Sequence, residues 1–169
     1  MSLQQGWVGM MQARIAASDK QYTVINASIS GDTTAGGLHR LPALLEQHRP
    51  ALVIIELGGN DGLRGYPLPT LRSNLTEMVT LSQHSGAKVI LLPMEIPPNY
   101  GTRYTSGFSE SYRQVAGQTN SVLTPFVLDG VATNTSLMQA DGIHPNAQAQ
   151  PKLLDNAWPV IEEALGSPD

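Results

Sequence analysis

The sequence predicts an α/β protein in which a parallel sheet is crossed by helices. Short apolar or β-branched runs alternate along the chain with longer segments of three- and four-residue apolar spacing, the pattern of strands joined by crossover helices. The run Ala51 to Leu57, ALVIIEL, is almost continuously apolar, as expected of a strand covered on both faces of its sheet. The 169 residues, 41% hydrophobic and 14% charged, suit a single domain spanning 1–169 and are too apolar for a disordered chain.

The elements follow in order. Trp7, Val8, Met11 and Ile15 recur at helical spacing and predict a helix over Gln4 to Ala17. Tyr22 to Ile29 reads as the first visible strand. Gly36 to His48 places Leu38, Leu41, Leu44 and Leu45 on one helical face, with Thr33 or Thr34 as its cap and Pro42 inside it. Ala51 to Leu57 is the clearest strand, ending in the turn GGNDG. Leu68 to His84 is helical, with Pro69 in its first turn and Gly86 as terminator. Lys88 to Leu92 is the next strand. Pro93 to Gly107, with several prolines and glycines, reads as a long irregular loop, Phe108 to Val122 as a helix and Pro125 to Leu128 as a short last strand. Gly130 to Gln139 is a loop, and Asn146 to Leu165 is a helix kinked at Pro151 and Pro159.

Composition narrows the function. Ten Lys and Arg against 14 Asp and Glu, a formal charge of -4, offer no broad attraction for a polyphosphate backbone, so nucleic acid is a poor partner. The absence of cysteine excludes a disulfide framework, a thiolate metal site and a cysteine nucleophile. No apolar run is long enough for a transmembrane helix, and MSLQQGWVGMM lacks the basic and apolar regions of a signal peptide.

In an open parallel sheet the ligand crevice lies beyond the strand ends, so the turns there matter most. Asp141 and His144 stand three positions apart in DGIHPN, before Pro145. There a carboxylate can accept the imidazole Nδ1 proton and leave Nε2 as a general base; equally, Asp-Gly is an ordinary turn signal. Gly31 in SGDT and Asn60 in GGNDG could aim a backbone N–H and a side-chain amide at one oxyanion, although both residue types also serve left-handed turns. Taken jointly, the three turns favour acyl transfer. The glycine-rich turns lack the lysine and the spacing of phosphate loops. His39, His48 and His84 fall in or beside helices and read as solvated surface rather than metal ligands. Ser85 and Lys88 match a Ser-x-x-Lys pattern with the serine at a helix end, the wrong place for an activated nucleophile.

NASISGDTT, ELGGNDGLRG and DGIHPNAQAQP together resemble the SGNH (GDSL-type) hydrolase superfamily, in particular its bacterial thioesterases that also act as arylesterases and lysophospholipases. The resemblance runs from about Gly6 into the C-terminal helix. It implies a flavodoxin-like three-layer α/β/α fold, with Gly31 and Asn60 as oxyanion donors, Asp141 as orienter and His144 as base. It also implies esters, thioesters or lysophospholipids as substrates, no metal or organic cofactor, and a periplasmic or secreted location. Gly58, Asp61 and Ile143 beside these residues, with the apolar Leu63, Tyr66, Ile96, Pro97, Tyr100 and Phe108, are the expected substrate-binding positions.

The sequence departs from that family at one place. The family's nucleophile is the serine of a Gly-Asp-Ser motif after the first strand, and no Gly-Asp-Ser occurs here. The resemblance therefore implies a chain begun at an internal methionine, without its first, interior strand and nucleophile, and nearly inert, since such losses cost on the order of 10⁶ in turnover. The gap left in the sheet would favour poor stability or a strand-exchanged homodimer. Alternatives from other classes are a non-catalytic binding or assembly module, a nonfunctional gene fragment, and a flavodoxin-like nucleotide binder.

Overall fold

The computed structural model describes residues 2–166. In chain order its main elements are α1 (Trp7–Ala16), α2 (Thr34–His48), β1 (Leu52–Ile55), α3 (Gly59–Leu63), α4 (Leu68–His84), β2 (Lys88–Leu91), α5 (Thr102–Thr119), β3 (Val122–Leu123) and α6 (Gln150–Gly166), with 3₁₀ turns at Leu3–Gln5, Pro98–Tyr100, Thr135–Leu137 and Ala147–Ala149. They belong to two compact units, one of Ile29–Thr124 and one of Met1–Ser28 with Pro125–Asp169.

The 29–124 unit carries a parallel sheet in the order β1-β2-β3. Leu52 is in register with Lys88 and Ile55 with Leu91, while Ile90 and Leu91 face Val122 and Leu123. Each strand-to-strand connection passes through a helix, as parallel pairing requires. The apolar stripe of α4, Leu71, Leu75, Met78 and Val79, meets Leu41 and Leu45 of α2, Ile55, Val89 and Leu91 of the sheet, and Phe108, Tyr112 and Val115 of α5 in one core. Burial of each such side chain contributes roughly 1.5–3 kcal/mol. The α/β class and parallel sheet expected from the alternation are both present. Pro42 does not break α2: it sits exposed inside a continuous helix capped by Thr33, whose side chain accepts from the Gly36 N–H.

In the other unit, α1 packs on α6. Trp7, Met11 and Ile15 are buried, as are Leu153, Leu154, Ala157 and Ile161. The Trp7 N–H donates to Gln150 Oε1 at 3.0 Å. Arg14 pairs with Asp155 at 2.8 Å and lies over the Trp158 ring. Pro151 falls in the first turn of α6 and Pro159 inside it.

Four sequence expectations are corrected. Tyr22 to Ile29 forms no regular element and joins no ladder; its β-branched composition favours a strand, yet a strand exists only by pairing, and Tyr22, Ile25 and Ile29 are 39%, 52% and 57% exposed. GGNDG is not an open turn, because Gly59–Leu63 coils into the short helix α3. The helix expected from Phe108 begins at Thr102, once Gly101 at φ 90° has turned the chain out of the Pro98–Tyr100 turn. It ends at Thr119 with Asn120 left-handed, which frees Val122 and Leu123 to form the last strand in place of Pro125 to Leu128.

Candidate active site

In the 29–124 unit the site is built from two turns, one before α2 and one after β1. Gly31 adopts φ +76°, a conformation that glycine reaches without strain. Its exposed N–H donates to no group among the described residues. Asp32 closes the turn: Oδ1 accepts the Thr33 N–H at 2.9 Å and Oδ2 pairs with Arg40 Nε at 2.9 Å. Asn60, in α3, donates from Nδ2 to the Asp32 carbonyl at 2.9 Å. An amide carries two N–H protons, so this bond orients Asn60 and leaves its second proton for a ligand.

The turn after β1 is anchored by phenol hydroxyls. Tyr112, fully buried, donates to the Leu57 carbonyl at 2.8 Å. Tyr100 and Tyr104 donate to the carbonyls of Leu63 and Tyr66 at 2.8 and 2.6 Å. Gly58, left-handed at φ +111°, lies so close to Tyr112 that a Cβ would stand 2.1 Å from its hydroxyl oxygen. Burial first, then the neighbouring carboxylates of Asp61 and Glu56, push the Tyr112 hydroxyl well above the usual phenol range.

The other unit carries an Asp–His dyad. Asp141 Oδ2 is 2.6 Å from His144 Nδ1, while Oδ1 accepts the backbone N–H groups of Ile143 and His144 at 2.9 and 3.0 Å. The backbone bond from His144 is the largest cause, followed by its imidazole and the Ile143 N–H, of an Asp141 pKa lowered to about 2. The loop is tied into a small antiparallel bridge between Met138 and Pro145. Within it Gln139 N–H donates to the His144 carbonyl at 2.7 Å, and the Asn146 amide reaches the Ser136 carbonyl at 2.8 Å. His144 is largely exposed, and its Nε2 has no partner among the described residues. With Nδ1 bound to a carboxylate, that nitrogen can accept a proton.

The expected substrate-binding residues separate into two groups. Tyr66 and Ile143 are exposed, and Leu63, Pro97 and Tyr100 are partly so. Phe108 has no exposed surface and stacks edge-on against Tyr112 at 5.5 Å, so it is core rather than groove. Ile96 and Gly58 are buried, and Asp61, 3% exposed, has its carboxylate taken up by Thr34. The sequence offers Thr34 only as a helix cap and Tyr100 only as a binding position; it gives no sign of the bond from Thr34 to Asp61, of Asn74, or of the hydroxyl bonds of Tyr100, Tyr104 and Tyr112, whose partners lie 27 to 55 positions away. Ser85 ends α4 with its hydroxyl on the Ser82 carbonyl, and His39, His48 and His84 are exposed. The groove lined by Arg72, Thr76, Thr80 and Gln118 contains none of the candidate site residues.

Known proteins are similar to this chain in sequence and in fold. The chain is 55% identical over 161 residues to Esterase TesA of Pseudomonas aeruginosa, covering 95% of this chain and 80% of that one. It is 41% identical over 155 residues, 92% and 73% of the two chains, to a thioesterase, protease and lysophospholipase of Escherichia coli. Among solved structures, TesA superposes with a TM-score of 0.94 at 53% identity, over 97% of this chain and 91% of that one. EstA, a psychrotrophic esterase of Pseudoalteromonas sp. inhibited by monoethylphosphonate, gives 0.94 at 43%, over 99% and 91%. The sequence model of the GDSL-like lipase/acylhydrolase family matches residues 2–150. This chain belongs to that family.

Proposed function

We propose that the protein is a hydrolase of carboxylic esters and thioesters, lysophospholipids included, acting by acyl transfer. The observation that carries this reading is the pairing of His144 Nδ1 with Asp141 at 2.6 Å, which leaves Nε2 as the basic nitrogen. In a form that carries the family's Gly-Asp-Ser, His144 takes the proton of the serine hydroxyl as it adds to the acyl carbon, then returns it to the departing alcohol or thiol. Water cleaves the acyl-enzyme by the same two proton transfers. Asp141 holds the imidazole and balances its charge. Gly31 N–H and the second Asn60 amide proton bind the oxyanion. The esterase and thioesterase names of the relatives support the substrate class.

A family match that draws on residues of both units supports treating 1–169 as one domain. No helix among the described residues is long and apolar enough to cross a membrane; a periplasmic or secreted setting rests on the resemblance and is tested by cell fractionation. Because the 169 residues contain no Gly-Asp-Ser, the chain by itself is expected to turn over little. That observation favours a second reading, a non-catalytic module that keeps the binding groups.

The deciding experiment compares p-nitrophenyl acyl ester hydrolysis by this chain with that of a version extended by a family-type strand and Gly-Asp-Ser, each with a His144→Ala control. Turnover by the extended form alone, abolished by the control, supports the hydrolase reading and the inertness of the chain. Turnover by the 169 residues that depends on His144 identifies another nucleophile. Absence of turnover in both favours the binding module.

A further inference from the structure

We infer that Asp61 is a positioning residue for the oxyanion donors, acting through Thr34 on the loop that carries Gly31. The inference rests on the roles proposed above for Gly31 and Asn60. Asp61 is 3% exposed and Thr34 fully buried. Asp61 Oδ2 accepts the Thr34 N–H at 2.9 Å, and Oδ1 accepts the Thr34 hydroxyl at 2.5 Å. Thr34 Oγ1 in turn accepts from Asn74 Nδ2 at 3.0 Å. An amide nitrogen can only donate and a hydroxyl has a single proton to give, so Thr34 Oγ1 accepts from Asn74 and its own proton goes to Asp61. The chain Asn74 to Thr34 to Asp61 therefore runs in one direction.

No cation pairs with the Asp61 carboxylate among the described residues, so its burial is compensated by these two donors and by the N-terminal turn of α2. Loss of either donor would leave a buried carboxyl oxygen without its partner. This makes the position of Thr34 relative to Asp61 stiff. The preceding residue acts on the same loop, because Asn60 Nδ2 holds the Asp32 carbonyl. Two consecutive residues of α3 thus grip positions 32 and 34, and the donors left over are the Gly31 N–H and the second proton of Asn60. Oxyanion donors act by being fixed before charge develops. The carboxylate next to Asn60 is therefore part of that fixation rather than a contact to substrate.

The test uses Asp61→Asn, Thr34→Val and Thr34→Ser in the full chain, and in the extended form where that is the active one. Asparagine and valine keep shape while removing the second acceptor and the hydroxyl; serine restores the hydroxyl. Two readouts are taken: kcat and KM on p-nitrophenyl esters, and the ¹H–¹⁵N resonances of the Gly31 backbone amide and the Asn60 side-chain amide. Expected are a fall in kcat of roughly up to 10²-fold for Asp61→Asn and Thr34→Val, KM within about twofold, displaced Gly31 and Asn60 resonances, and wild-type behaviour of Thr34→Ser. Should Asp61→Asn fail to fold, the valine and serine pair carries the test. Unmoved resonances in folded Asp61→Asn or Thr34→Val overturn the inference, as does a loss that falls on KM or that serine does not rescue. If no form hydrolyses esters, the hydrolase reading fails while the resonances still decide whether Asp61 fixes this loop.

Discussion

His144 Nδ1 lies 2.6 Å from Asp141 Oδ2, and the same carboxylate receives the backbone N–H of His144 at 3.0 Å through Oδ1. One residue is thus gripped at both its ring and its main chain, which fixes imidazole orientation and tautomer together. Asp141→Asn keeps the shape but offers Nδ1 an amide; in an active form of the enzyme kcat is expected to fall roughly 10⁴-fold, measured by ester hydrolysis. A decrease of less than about tenfold would remove Asp141 from the orienting role.

The acidity of Asp141 gives a pH prediction. Its pKa falls from 3.8 to about 2 because the folded loop donates to the charged form. The bonds it anchors stabilise the loop fully above pH 3.8, and this contribution fades as pH falls through about 2. The Asp141 carboxyl carbon, followed by ¹³C NMR, is expected to titrate near pH 2. Titration at the ordinary carboxylate value would show that the loop does not hold these bonds in solution.

Asn60→Ala removes both the proposed oxyanion donor and the bond to the Asp32 carbonyl. The expected loss is roughly 10²–10³-fold in kcat. Asn60→Asp, which replaces the donor with a charged acceptor beside the same carbonyl, is expected to lose at least as much. An active Asn60→Asp enzyme would exclude the amide as donor.

Gly58→Ala adds a Cβ at φ +111° and 2.1 Å from the Tyr112 hydroxyl oxygen. Destabilisation of about 1–3 kcal/mol is expected from strain and overpacking, read from urea unfolding. Tyr112→Phe leaves the Leu57 carbonyl without its donor and is expected to cost about 1–2 kcal/mol. Because burial raises the Tyr112 pKa, its neutral form stabilises the fold below the usual phenol value of 10.0 and that contribution is lost at higher pH. Its phenolate absorbance should appear only with unfolding.

Tyr22, Ile25 and Ile29 expose apolar surface on a segment without a ladder, and β1 is an edge strand of its sheet. Such edges invite pairing between molecules. Concentration-dependent dimerisation is expected in sedimentation velocity, weakened by Ile25→Lys. A monomer at every concentration with a sharp, cooperative melt would count against strand exchange.

Much of the molecule is legible where the cause is local. The spacing of Leu71, Leu75, Met78 and Val79 announces α4, and the apolar run through Ile55 announces β1, because periodicity reflects which face must leave water. The dyad is legible for the same reason: a turn brings residues three positions apart within hydrogen-bond reach. The sequence by itself determined α1, α2 and α4, the strands β1 and β2 with their parallel class, and the pairing of Asp141 with His144.

Tertiary structure decided whatever depends on a distant partner. Tyr22 to Ile29 has the composition of a strand, but ladder formation depends on a neighbour that composition does not specify. Phe108 reads as groove until α5 starts at Thr102 and turns it into the core beside Tyr112. Asp61 looks like a site carboxylate until Thr34, 27 positions earlier, occupies it. In each case the free energy lies in contacts between segments far apart in the chain, and a residue's own chemistry states what it can bond to without stating what it meets.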